Sequence, residues 1–143
     1  LSYILETSNK NDSKLEAKLL DLLVAENDRQ FGKDRIDRFY VSVKDPETSE
    51  VVGGIWTETL FDWMYIEVIY IPDQLRNRGL ATQLLKQAED HAISIGCVGI
   101  WLETFEFQGP GLYLKNGYEL FATQDNYPRG SKRRFLQKRF AAA

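Results

Sequence analysis

Apolar residues along the chain fall into two periods. Leu15, Leu19, Leu22 and Leu23 form a stripe at the helical repeat. Asn11, Asp12 and Ser13 precede it, and Ser13 with Glu16 three positions on has the spacing of a capping box. This helix should close near Phe31 and Gly32. A second helix is predicted over about 79–95, with Leu80, Leu84, Leu85, Ala88, Ala92 and Ile95 on one side and Gly96 placed to end it. Shorter apolar runs predict strands at 1–6, 39–43, 51–58, 98–105, 118–123 and 134–140. A turn at 45–48 makes 39–43 and 51–58 an antiparallel hairpin. Segment 63–71, WMYIEVIYI, is interrupted only by Glu67 and reads as a central strand buried on both faces. Residues 33–37 are charged and read as a loop or short helix. Residues 109–116 read as a short helix closed by Asn116-Gly117, and 124–131 as a turn-rich connection.

The strand, loop, helix and strand over 63–105 have the length of a crossover unit, which predicts parallel strands. The whole reads as one α/β domain over 1–140 with a mixed sheet. Ala141, Ala142 and Ala143 read as a terminal remnant or frayed tail. Composition narrows the function classes. At 43% hydrophobic and 13% aromatic, the 143 residues suit a packed globule and exclude disorder. A single cysteine, Cys97, excludes an intrachain disulfide framework and points to a reducing, cytoplasmic setting. A single histidine, His91, excludes sites with two imidazoles, and no metal is expected. A net charge of −3 argues against nucleic acid and suits a cationic small substrate. No apolar run approaches the roughly 18 residues of a membrane span.

The stretch with the clearest chemistry is Arg76-Asn77-Arg78-Gly79-Leu80-Ala81, between the central strand and the second helix. The first amides of a helix lack internal partners and sit at its positive end. Gly79 lets the backbone approach a phosphate, Ala81 removes bulk, and Arg76 and Arg78 add charge. The plain alternative is a charged loop with an ordinary glycine at a helix start. Arg76-x-x-Gly79-x-Ala81, with Pro72 ahead, resembles the acyl-CoA loop of the GNAT superfamily of N-acetyltransferases. Gly111-Leu112-Tyr113-Leu114-Lys115-Asn116-Gly117-Tyr118 is similar to that family's second signature, and the element order matches along nearly the whole chain. Residues 102–108 and 125–130 resemble a small prokaryotic subgroup of undefined substrate.

The resemblance implies a mixed, mostly antiparallel sheet of six to seven strands, with a splayed central parallel pair and flanking helices. It implies acetyl-CoA, with the pyrophosphate on the amides of Arg76, Asn77, Arg78, Gly79, Leu80, Ala81 and Thr82. The pantetheine would pair with the backbone of Ile69 and Ile71. A bulge in the central strand would aim the Ile69 amide at the thioester oxygen. Glu67 would be the base or an amine-binding carboxylate, its pKa raised by an apolar strand, or else a structural residue. Tyr113 would be the general acid or a CoA contact, or else core packing. Two positions depart from the family pattern: Phe107-Gln108-Gly109-Pro110 stands where many members place Asn, leaving that contact to Gln108, and Ser131 stands where the subgroup has His.

The activity implied is direct acetyl transfer to a primary amine of a small cationic molecule. Protein lysine or amino-terminal acetylation, and a non-catalytic acyl-CoA sensor, stay open beside it. Glu58, Asp62, Glu103 and Glu106, with Trp56 and Phe105, are candidates for an acidic, aromatic acceptor pocket. His91 and Cys97 read as packing residues. Lys132, Arg133, Arg134, Lys138 and Arg139 read as a solvated strand face, with an acidic partner or the CoA 3′-phosphate as the alternatives. Either a monomer or a homodimer is compatible, a dimer being reachable by strand exchange or by sheet extension through the last strand.

Overall fold

The computed structural model describes residues 2–34 and 36–141. They belong to two compact units divided after Asp34. In the first unit, α1 (Ser13–Phe31) carries the expected leucine stripe. Its cap is Asp12 rather than Ser13: the carboxylate accepts from the Leu15 amide at 3.0 Å, and a charged acceptor binds an amide more strongly than a hydroxyl does. Gly32, at φ 107°, ends the helix as expected. Residues 2–6 do not form the expected strand. An extended segment needs a neighbouring strand for its amides and carbonyls, and this unit supplies only a helix. Leu1 of that expected strand, Arg35 of segment 33–37, and Ala142 and Ala143 of the tail lie outside the described residues.

The second unit is a six-stranded sheet with two helices. Its elements are β1 (Asp37–Lys44), β2 (Val51–Leu60), β3 (Trp63–Tyr70), α2 (Leu80–Ser94), β4 (Gly99–Phe105), α3 (Gly111–Lys115), β5 (Glu119–Asp125) and β6 (Lys132–Arg139). The strand order is β1-β2-β3-β4-β6-β5. All neighbouring pairs are antiparallel except β3 and β4. The apolar side of α2 lies in one core with the sheet: Leu84, Leu85, Ala88 and Ala92 with Ile55, Met64, Ile66, Ile100, Leu102 and Leu136. Ala88 and Ala92 are fully buried, and their lack of bulk brings the helix close to the strands. α2 ends as Gly96 requires. At φ 87° it lets its own N–H reach Ile93 O at 3.1 Å and the Cys97 N–H reach Ala92 O at 2.9 Å. No helix among the described residues is long and apolar enough to cross a membrane.

Two irregularities in β3 make the site. Trp56 pairs with Val68 but Thr57 pairs with Ile66, so Glu67 is an extra, bulged residue. A one-residue insertion exchanges the faces of everything beyond it. Before the bulge the even positions Met64 and Ile66 are buried; after it the odd positions Ile69 and Ile71 face the core. The second irregularity is that β3 and β4 pair only at Trp63–Gly99, Met64–Ile100 and Tyr65–Trp101, then part. The expectation of a strand buried on both faces therefore fails over its second half, where Glu67, Val68 and Tyr70 are exposed. Sheet extension through the last strand is also excluded, because β6 lies between β4 and β5 with both edges paired.

Candidate active site

The parting of β3 and β4 opens a cleft of about 750 Å³. Its walls are the second half of β3, residues 102–104 of β4, the loop into α2, and the segment that carries α3. Of the expected site residues, Glu67, Ile69, Ile71, Arg76, Asn77, Gly79, Leu80, Ala81, Thr82 and Tyr113 line it. Arg78 is exposed and is not among the lining residues.

The loop end is built by backbone geometry. Pro72 closes β3, and a single 3₁₀ turn (Asp73–Leu75) follows. Arg76 is fastened rather than free: its Nε donates to Ile71 O at 2.9 Å, and its guanidinium pairs with Asp73. Asn77 at φ 61° and Gly79 at φ 76° swing the chain into α2. The first bond of this helix runs from Gln83 N–H to Gly79 O at 3.0 Å. The amides of Leu80, Ala81 and Thr82 are thus left without helical partners, and Gly79 brings no side chain to cap them. A Cβ placed on Gly79 would meet nothing within 4 Å. This open, positive helix end has the donors and the room for a phosphate group.

Glu67 and Tyr113 give the cleft its titratable groups. Glu67 is exposed at the bulge, so the apolar enclosure expected for it is absent. It makes no ion pair among the described residues. Tyr113 is only 6% exposed, and burial pushes its phenol up to about 12. Its ring meets Tyr118 edge-on at 5.9 Å. Tyr118 donates to Glu89 at 2.9 Å, and Lys138 donates to Glu89 at 2.7 Å and to Asn116 O at 3.0 Å. This chain fastens the end of α3 to α2 and β6. Gln108 turns its carbonyl oxygen inward, accepting from Phe105 N at 2.8 Å and Thr104 Oγ1 at 3.0 Å. Only its NH₂ group is left to meet a ligand.

Of the candidate acceptor-pocket residues, only Glu103 lines the cleft. Glu58 faces Arg38 at 3.7 Å, Trp56 stacks on Tyr40, and Glu106 pairs with Arg134. Asp62 lies in the β2–β3 turn, where its carbonyl accepts from Val98 N–H at 2.8 Å. Glu103 accepts from Tyr65 Oη at 2.8 Å and from Arg133 Nη2 at 2.9 Å. Burial and this bond push the Tyr65 phenol up to about 12. The solvated basic face expected on β6 holds only for the exposed Lys132 and Arg139: Arg133, Arg134 and Lys138 are part-buried in pairs with Glu103, Glu106 and Glu89. Strand alternation alone puts Trp101, Glu103 and Phe105 on one side of β4, but Arg133 is found only through the β4–β6 register. His91 stacks on Phe39 at 4.3 Å and bonds Asp37 at 2.8 Å, a packed helix residue away from the cleft. Cys97 is buried, and burial raises its thiol pKa.

The family model for the acetyltransferase (GNAT) family matches residues 6–118. The chain belongs to this family. Among relatives of this acetyltransferase, an acetyltransferase of Agrobacterium fabrum is 28% identical over 133 residues, 93% of this chain and 96% of the relative. The blasticidin-S acetyltransferase of Streptomyces morookaense is 32% identical over 100 residues, 69% of this chain and 74% of the relative. A crystal structure from Agrobacterium tumefaciens, assigned as an acetyltransferase, superposes with a TM-score of 0.88 at 26% identity, covering 98% of this chain and 100% of the other. A structure from Bacillus anthracis, assigned as a streptothricin acetyltransferase and solved in complex with acetyl coenzyme A, has a TM-score of 0.64 at 19% identity, covering 73% and 64%. The splayed parallel pair and mixed sheet of this acetyltransferase are those the resemblance implied.

Proposed function

We propose that this acetyltransferase moves an acetyl group from acetyl-CoA to the amine of a small cationic molecule, by direct attack in a ternary complex. The carrying observation is a single cleft with two unlike sets of groups: open helix amides beside Gly79, and the unpaired carboxylate of Glu67 with the protonated phenol of Tyr113. Acetyl-CoA supplies the activated acyl thioester. Gly79, Leu80, Ala81 and Thr82 hold its pyrophosphate by backbone amides, with Arg76, Asn77 and Arg78 contributing to that end of the site. Ile69 and Ile71 offer their backbone to the pantetheine, and the Ile69 amide stabilises the charge that develops on the thioester oxygen. Glu67 takes the proton from the acceptor nitrogen, directly or through water. A C–N bond forms as the C–S bond breaks, Tyr113 gives its proton to the departing sulfur, and the second proton that the nitrogen sheds as the amide forms restores the phenol.

The relatives support a small acceptor: one is named for blasticidin S and one structure for streptothricin and acetyl coenzyme A. The reading keeps 1–140 as one domain, of which the family match spans 6–118. Thiol release from acetyl-CoA with a panel of small amines and lysine peptides tests the reading. E67Q should lower turnover more at about pH 6, where almost none of the acceptor amine is free, than at about pH 9, where a larger share of it is. A ratio that is flat across pH removes the base role. Binding of acetyl-CoA without thiol release in any arm turns the reading to a sensor.

A further inference from the structure

We propose that the acceptor is a flat, π-bearing amine with one positive charge, which stacks on Phe107 and directs its nitrogen to Glu67. This rests on the transferase reading and specifies its acceptor. Among the described residues, four charged ones line the cleft: Glu67, Arg76, Glu103 and Lys115. Arg76 is paired with Asp73, and Glu103 with Arg133. Glu67 is thus the negative lining residue without a counter-ion among the described residues, which suits one cation and gives no second acidic group for another.

Phe107, a residue 69% exposed, lines the same cleft. Single exposed aromatics are ordinary, but this one is backed. Its inner face stacks on Phe105 with centroids 5.2 Å apart and planes within 10°. Phe105 is held in turn by the Arg133 guanidinium at 4.5 Å and by the Tyr127 ring at 5.5 Å. Arg133 is fixed by Glu103. A parallel ring whose partner is immobilised from behind keeps a fixed orientation, with exposed surface facing the cleft. Such a platform selects planar π-systems over saturated groups of equal size, through offset stacking.

The test compares 2-phenylethylamine with 2-cyclohexylethylamine, which share charge, carbon count and chain length and differ in aromaticity. The readout is kcat/KM by thiol release from acetyl-CoA. The native protein should favour the phenyl amine by about tenfold, the scale of one base-like stack. F107L should bring the ratio below about threefold, and F107Y should keep it near the native value. A native ratio near one, a ratio unmoved by F107L, or turnover of neither amine with acetyl-CoA still bound overturns the acceptor inference alone. Failure to bind acetyl-CoA by calorimetry overturns the transferase reading beneath it.

Discussion

Replacing Tyr113 by Phe separates chemistry from packing, because the structure sets the two effects apart. The ring is buried against Tyr118, and the Tyr113 hydroxyl has no hydrogen-bond partner among the described residues. Removing that oxygen deletes no native bond, so the fold at neutral pH should be as stable as before, within about 0.5 kcal/mol. If the phenol protonates the leaving sulfur, turnover should fall by about 100-fold, equivalent to about 2.7 kcal/mol of barrier. Acetyl-CoA affinity should hold, since the pyrophosphate contacts lie in the loop before α2. Alkaline pH supplies a further check. Burial lifts the phenol to about 12, so above about pH 10 the unfolded chain loses this proton while the folded chain keeps it. Fewer protons on the unfolded state mean that stability falls as pH rises. The contribution is complete below about pH 10 and is lost through about pH 12, up to about 2–3 kcal/mol for a two-unit shift. Urea denaturation at neutral pH and at about pH 11 should show Y113F losing less stability than the native protein over that interval. Native-like turnover in Y113F refutes the acid role. An equal alkaline loss in both proteins refutes the assignment of the buried phenol as its source.

The loop and the paired cluster behind the cleft give two further tests. G79V should weaken acetyl-CoA binding by at least about tenfold in calorimetry, because a branched side chain would stand in front of the free amides in a left-handed conformation that costs about 1–2 kcal/mol. G79N tolerates that conformation yet still fills the space, so recovery of affinity in G79N would assign the loss to strain rather than to the cradle. R133M should lower stability by about 2 kcal/mol in urea titrations, since it strips the charge-assisted bond from a Glu103 side chain that is only 18% exposed. Adding E103Q should recover part of that loss, whereas strictly additive losses would count against coupling between the two.

Much of the site was legible along the chain where a local rule decides it. The positive-φ glycine at 79, the helix that follows and the lone carboxylate in an apolar strand are each read from a few neighbours. The cap of α1 shows the limit of such reading: Asp12, Ser13 and Glu16 offered two solutions, and the stronger acceptor took the amide. The environment of Glu67 was misjudged for a deeper reason. A bulge is a property of two strands in register: the resemblance implied one in the central strand, but no single segment shows that Glu67 is the residue it turns to solvent. The apolar run on either side of Glu67 gave no sign that the ladder to β4 ends at Tyr65.

Local pattern along the chain settles most of the helices and strands, with residues 2–6 the exception, as well as where α2 begins and ends and which residue types are available for chemistry. Those outcomes depend on φ, capping and side-chain alternation within a few residues. The tertiary structure decided that β6 enters the sheet between β4 and β5, that Arg133 therefore meets Glu103, and that one extra residue at 67 exchanges the faces of β3. These follow from pairing between segments far apart in the chain. The open cleft is set by where two strands stop bonding, which only their mutual packing can fix.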